Sequence, residues 1–346
     1  MKILITTHFS KDYGGSELFT LNLAKELKNS GHEITVFTLI PGKVSDEIEK
    51  LGIGVATEAE VLKNKNFDII HVQHNSTAAM VSRYFPNVPR IYMCHGTVPR
   101  LEQPPGMVFD KYFAVSESTR NHLIKKHKIE GKNVVIVRNW IDMEKFSEKK
   151  SVRQKPEKLL VINNHFFGKN RKIIADACRK SGIDFEHIGM PDRPVRDVEN
   201  YINEADIVIS VGRGALEAMA CGRNVIPFDI SGGEEMVTEE NFMQLVKYNF
   251  SGKCQKVRYG SERLVQELKK YDPRRGKKLR DLVMRENNKD NIIRFILEQY
   301  QKCIEAGGKC RKEKKPFRFW FGFQFYWYLR EKYHTKLKIW INSIAL

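Results

Sequence analysis

"KILITTHFSKDYGGSELFTLNLAKELKNSGHEITVFT", residues 2–38, holds the decision about the fold. "KILITT" is an apolar run of the length and composition of a buried strand. Gly14 and Gly15 follow it at once. Leu18, Leu21, Leu23, Ala24 and Leu27 then recur at helical spacing, and "NSGH" stops the helix. "EITVFTL" is a second strand. A strand, a glycine turn, an amphipathic helix and another strand make one unit of a parallel sheet. Glycine at the turn lets a backbone N–H come close to a phosphate, and a helix N-terminus behind it adds partial positive charge. A tight turn with no ligand would use the same two residues. The pattern is not the G-x-G-x-x-G of dinucleotide sites.

The alternation continues. "FDIIHVQ", "PRIYMCH" and "KYFAVS" are further strands. His74, His95 and Ser116 each sit just after one of them, as the glycine pair does, so all are expected on one rim at the carboxyl ends of the strands. A charged stretch, "VRNWIDMEKFSEKKSVRQKPEK", reads as a linker. A second alternating series follows: "KLLVIN", "KNRKIIADACRKSG", "DFEHIG", "DVENYINEA", "DIVISV", "GALEAMACG" and "RNVIPFD". Two more helices, "SERLVQELKKY" and "KDNIIRFILEQYQKCIEA", come after it. Two doubly wound series predict two Rossmann-like domains facing an inter-domain cleft, with boundaries at 1–150 and 151–300.

The 346 residues suit two domains, and 41% hydrophobic residues are enough to bury their cores. The net charge of +17 attracts anions: nucleotides, acidic glycans, nucleic acid or an anionic membrane. Cys94, Cys178, Cys221, Cys254, Cys303 and Cys310 form no C-x-x-C pair, which argues against zinc and disulfides and for a reducing compartment. "MKILITTHFS" is too short and too polar for a signal peptide, and no run of apolar residues is long enough to span a bilayer. The expected location is cytoplasmic.

Residues 301–346 change character. From Phe317 to Tyr328 aromatics cover every face; beyond Tyr326, the positions Leu329, Tyr333, Leu337, Trp340 and Ile344 share one. This basic aromatic tail, 311–346, can pack on the domains, lie on an anionic membrane or bind nucleic acid. Mixed packing and peripheral membrane contact is the favoured reading.

Three groups of residues can carry chemistry. The Gly14-Gly15 pair is the first. His95, in "CHGT", can hydrogen-bond a substrate hydroxyl or donate to a phosphate, or be an ordinary satisfied histidine. The third is "GRGALEAMACGRNVIPFDISGGEEMV", residues 212–237. There Glu217 is placed at the start of a helix, where the dipole favours a carboxylate and a ribose can be held. Gly212, Arg213 and Gly214 before it resemble a phosphate-accepting loop with a fixed cation. A capped core helix is the bland alternative.

"LEAMACGRNVI" followed by "SGGEEMV" resembles the donor-site signature of retaining glycosyltransferases of family four, which have the GT-B fold. "GGSELFTLNLAKELKNSGHEITVFT", "FDIIHVQ", "CHGT", "AVSEST" and "VRNWIDMEKF" follow the family's order, so the resemblance covers residues 1–300. It implies an acceptor-side domain over 1–150 and a nucleotide-sugar domain over 151–300. It also implies that Gly15 approaches the donor phosphates, His95 sits by the transferred sugar, Glu217 holds the ribose and Lys169 contacts the pyrophosphate. The implied reaction needs no metal and no cofactor beyond the nucleotide-diphospho-sugar. No Asp-x-Asp motif or His/Cys ligand cluster stands in the sequence. The acceptor would be a glycan or a lipid-linked sugar, and nucleic acid is not expected.

The chain departs from the family at three places. The first glutamate of the family's pair falls at Ile209, and its arginine falls at Asn164, leaving Arg213 or Arg171 to supply the charge. The linker glycine is Trp140, read as a harmless surface change. The departures at 209 and 164 support a rival: a non-catalytic binding protein on the same fold. Charge alone supports a nucleic-acid-binding protein. A nicotinamide-dependent reductase lacks its glycine fingerprint.

Overall fold

The structure is a computed structural model and describes residues 1–164, 168–189, 192–230 and 232–307. The tail at 311–346 therefore lies outside the described residues.

The first series runs β1 (Lys2–Phe9), α1 (Gly15–Asn29), β2 (Glu33–Ile40), α2 (Lys43–Lys50) and β3 (Gly54–Ala56). It continues with β4 (Ile69–Val72), α3 (Asn75–Tyr84), β5 (Arg90–Cys94), β6 (Lys111–Ala114), α4 (Glu117–His127) and β7 (Val134–Ile136). These strands form one seven-stranded sheet in the order β3-β2-β1-β4-β5-β6-β7. β1 is central and parallel to both neighbours, with Thr6 beside Phe37 and Val72. Its residues from Ile3 to Thr7 are buried on both faces, which is why the run is continuously apolar rather than alternating. α1 buries Phe19, Leu23, Ala24 and Leu27, one stripe of a helix.

The second series runs β8 (Lys158–Ile162), α5 (Gly168–Ser181), β9 (Asp184–Ile188), α6 (Val198–Glu204), β10 (Ile207–Ile209), α7 (Arg213–Ala220) and β11 (Asn224–Ile226). Its sheet has the order β11-β10-β8-β9, all parallel. The short pair β12 (Phe228–Asp229) and β13 (Gly232–Gly233) follows, then α8 (Glu239–Val246), α9 (Ser261–Leu268), α10 (Arg275–Glu286) and α11 (Lys289–Glu305). Period-two alternation divides the core between the faces. Leu160, Val208 and Val225 pack with residues of α6, α7, α8 and α10. Leu159, Val161, Ile207 and Ile209 pack with residues of α5 and α9. Helices on both faces make this sheet doubly wound, as the alternation predicts.

The described residues divide into two compact units: 1–12, 19–112 and 302–307 in one, 13–18 and 113–301 in the other.

The polar stretch 137–158 is not a bare tether. Val137, Trp140, Ile141 and Phe146 are buried. Asp206, wholly buried, accepts hydrogen bonds from the backbone N–H of Arg153, Glu157 and Lys158 at 2.9–3.0 Å. Arg223 donates to the carbonyls of Ala205 (3.1 Å) and Lys150 and to Asn203 Oδ1 (3.1 Å). Arg280 reaches the carbonyls of Phe146 (2.9 Å), Met143 (3.3 Å) and Ala220. Trp140, expected on the surface, is only 3% exposed. An indole of that size inside a packed interior is a core residue, so the substitution of the family's glycine is not a surface change.

Candidate functional site

Each sheet gathers its candidate residues at the carboxyl ends of its strands. In the first unit the ends of β1, β4 and β5 lie side by side through the pairs Thr6–Val72 and Val72–Tyr92. His8, Gln73, His74 and His95 occupy that edge. The backbone N–H of His8 donates to His74 Nδ1 at 3.0 Å, and His8 Nδ1 meets Ser76 Oγ at 2.7 Å. His95 Nε2 lies 2.8 Å from Gln73 Oε1, and Gln73 Nε2 donates to Thr20 Oγ1 at 2.6 Å. The edge of Phe19 or His95 meets the face of the other, with centroids 4.7 Å apart.

Burial governs the ionisation of this edge. It holds His8 and His95 down at about 4 and His71 at about 3, and keeps His74 well below the ordinary histidine value. All four are neutral at pH 7. His95 is thus a hydrogen-bonding group there rather than a cation. Ser116, the other rim residue, caps α4: its hydroxyl accepts the N–H of Thr119 at 3.2 Å.

The glycine pair opens α1. A Cβ on Gly14 would run into the Glu17 carboxylate, whereas one on Gly15 would meet nothing within 4 Å. Ser16 Oγ donates to Glu17 Oε2 at 3.0 Å.

In the second unit, the turn from β10 into α7 carries the 212–214 loop. Gly212 adopts φ +59°, a conformation that L side chains resist, and its N–H donates to the Phe250 carbonyl at 3.3 Å. Gly214 leaves no room for a Cβ beside Ser210 Oγ, and that hydroxyl donates to the Ile162 carbonyl at 3.0 Å, tying the ends of β8 and β10. Arg213 Nε donates to Glu217 Oε1 at 2.7 Å. The two side chains are 18% and 10% exposed. Glu217 is the fifth residue of the eight-residue α7 rather than part of its first turn. Its charge is therefore balanced by the guanidinium one turn earlier, not by the helix N-terminus, whose effect fades within a turn.

Lys169 and Arg171 stand exposed in the first turn of α5, at the carboxyl end of β8. Asn164 is exposed two residues beyond that strand. Ile209 lies in β10, wholly buried, with Val161 opposite it. A carboxylate cannot occupy that position without being buried in the apolar core. Among the described residues, no cluster of three or more His, Cys, Asp or Glu could hold a metal. No described helix is long and apolar enough to cross a membrane.

Two further residues, not singled out by any motif, belong to these edges. Gln73 stands between Thr20 and His95. Asn249, at φ +53°, brings its amide to 3.5 Å from where a Gly212 Cβ would stand and accepts a hydrogen bond from Asn139 at 3.2 Å.

Residues 13–145 match the family model Glycosyltransferase Family 4. No curated protein matches the chain in sequence. Among solved structures, it is similar to Alr3699/HepE from Anabaena in complex with UDP, at 14% identity and TM-score 0.65, over 87% of this chain and 100% of that one. A glycosyltransferase from Rickettsia africae ESF-5 gives 17% and 0.60, over 88% and 98%. MurG from Acinetobacter baumannii gives 11% and 0.54, over 87% and 99%. The chain has the GT-B fold of these glycosyltransferases, with two Rossmann-like units. The family whose model matches residues 13–145 is the one its motifs resemble.

Proposed function

We propose that the protein is a retaining glycosyltransferase that moves a sugar from a nucleotide-diphospho-sugar to a glycan or lipid-linked acceptor. The observation that carries this reading is the Arg213–Glu217 pair at the carboxyl end of β10, inside the segment that resembles the family's donor signature. In this reading Glu217 takes the ribose hydroxyls, and Lys169, Arg171 and Arg213 take the phosphates. Gly14, Gly15, Gly212 and Gly214 let the backbone approach them. His95 faces the transferred sugar.

The reaction breaks the bond between the sugar's anomeric carbon and the diphosphate oxygen. The acceptor oxygen bonds to that carbon on the same face, and its proton passes to the departing phosphate. Negative charge grows on the leaving group, and fixed cations and helix N-termini stabilise it there. Those groups supply the positive charge without a metal.

UDP-glucose heads the donors to try, because HepE has been crystallised with UDP, with UDP and glucose, and with UDP-glucose. The test is a screen of common UDP- and GDP-sugars for release of the nucleoside diphosphate, with His95→Ala and Glu217→Ala as controls. Turnover with one donor, lost in both controls, supports the reading. Binding without turnover, acceptor glycans and lipids included, favours the rival, a nucleotide-sugar-binding protein. The buried Ile209 is the observation on its side.

The domain assignment at 1–150 and 151–300 belongs to this proposal, as does cytoplasmic location with peripheral membrane contact through 311–346. Flotation of a chain truncated after residue 308 on anionic vesicles tests the last point; unchanged binding removes the tail from it.

A further inference from the structure

We propose that Gln73 is a positioning residue that holds His95 as its Nε2–H tautomer, so that Nδ1 offers a lone pair to a hydroxyl of the sugar. The proposal rests on the transferase reading only for the word sugar; the tautomer follows from the orientation of the Gln73 amide, with its NH2 on Thr20 and its oxygen on His95.

Gln73 is wholly buried at the end of β4. Its amide is held at both ends. The NH2 group donates to Thr20 Oγ1 at 2.6 Å, which turns the carbonyl oxygen toward His95, 2.8 Å away. A carbonyl oxygen only accepts, so the proton in that contact is on His95 Nε2. A neutral imidazole carries one ring proton, so Nδ1 is bare. Among the described residues Nδ1 has no hydrogen-bond partner, and it is not among the buried polar atoms left without one, so it is open to solvent. Burial keeps the ring neutral near pH 7.

A bare ring nitrogen selects among ligands. It accepts from a hydroxyl and repels a phosphate or carboxylate oxygen that brings no proton. His95 so held excludes donation to a phosphate, one of the two roles open to a histidine there. It favours donors whose sugar carries a hydroxyl at the contact over sugars with a carboxylate at that position.

The first measurement uses the full chain with 15N-labelled histidine. Long-range proton–nitrogen correlation at pH 7 reports which nitrogen is protonated, and His95→Gln identifies the resonance. The expected result is a protonated Nε2 and a bare Nδ1. A protonated Nδ1 would mean that Gln73 donates to the ring, and would overturn the proposal. Gln73→Leu is expected to mix the tautomers, and Gln73→Glu, which keeps an acceptor, to restore Nε2–H. A pure Nε2–H signal in Gln73→Leu would also overturn it. None of these readouts depends on turnover, so failure of the transferase reading leaves them standing.

With a donor in hand, each sugar hydroxyl is replaced by hydrogen in turn. One deoxy-donor is expected to lose about fivefold to tenfold in kcat/KM, the worth of one hydrogen bond. That gap should close in Gln73→Leu; a gap unchanged there would show that Gln73 does not set the contact.

Discussion

Arg213 and Glu217 hold each other: one turn apart on α7, Nε to Oε1 at 2.7 Å, both mostly buried. Reversing the charge with Arg213→Glu places two carboxylates on one helical face. A charge-assisted hydrogen bond contributes about 1.5–3 kcal/mol, so the affinity for a nucleoside diphosphate should fall more than tenfold. Isothermal titration with UDP and GDP checks it, and unaltered affinity would remove Arg213 from the phosphate role.

Trp140 fills core volume where the family carries glycine. Trp140→Gly should cost about 3–5 kcal/mol, the range for emptying a large aromatic site. Urea denaturation of the variant measures it. A loss below about 1 kcal/mol would fit a surface position instead.

Arg223 is 1% exposed and satisfies three acceptors at once. Arg223→Met keeps the apolar stem and takes this donor from the carbonyls of Ala205 and Lys150, while Asn203 Oδ1 keeps the N–H of Lys149 at 2.8 Å. Each buried unsatisfied group costs about 1–3 kcal/mol, so the thermal midpoint should drop by several degrees at least. Arg179, 74% exposed at its side chain, serves as the contrast: Arg179→Met should change the midpoint little.

Acid should weaken the fold before the carboxylates titrate. His8 has a folded value of about 4 against 6.5 for the free side chain, so the native state binds fewer protons than the unfolded one. Its stabilising effect is complete above pH 6.5 and is lost as pH falls toward 4. At about 1.4 kcal/mol per unit, His8 alone accounts for a few kcal/mol, with His95 and His71 adding to the slope. Unfolding midpoints between pH 7 and 4.5 should decline, and His8→Gln should flatten the decline.

Much of the architecture was legible because each element carries its own period. The continuous run of β1, Leu23, Ala24 and Leu27 in α1 and the alternation that sends Leu160 and Val161 to opposite faces are all local patterns, although in α1 the buried stripe is completed by Phe19 rather than by Leu18 and Leu21. The turn into α7 was legible through its glycines. What escaped depends on pairings across the chain. Gln73 meets His95 only because β4 lies beside β5, a neighbour relation that no periodicity states. Arg223 and Arg280 look like two more surface cations in a basic chain, yet they end on backbone carbonyls. Trp140 sits in a polar, aperiodic stretch that gives no hint of burial. Glu217 lies a full turn inside α7, whose start falls within one residue of the expected one, so its partner is the Arg213 side chain rather than the helix N-terminus, and a side-chain pairing is not visible in composition.

The fastening of 143–158 also says where the molecule can be cut. A fragment begun at residue 151 would leave Arg280 without the carbonyls of Met143 and Phe146, and Arg223 without that of Lys150. It would also expose the core beside Ile141 and Phe146. A fragment begun at 113 would carry all of these with it. Whether the later part of the chain can be inherited or expressed as a separate piece thus turns on a stretch of sequence that looks like mere spacing between two folds.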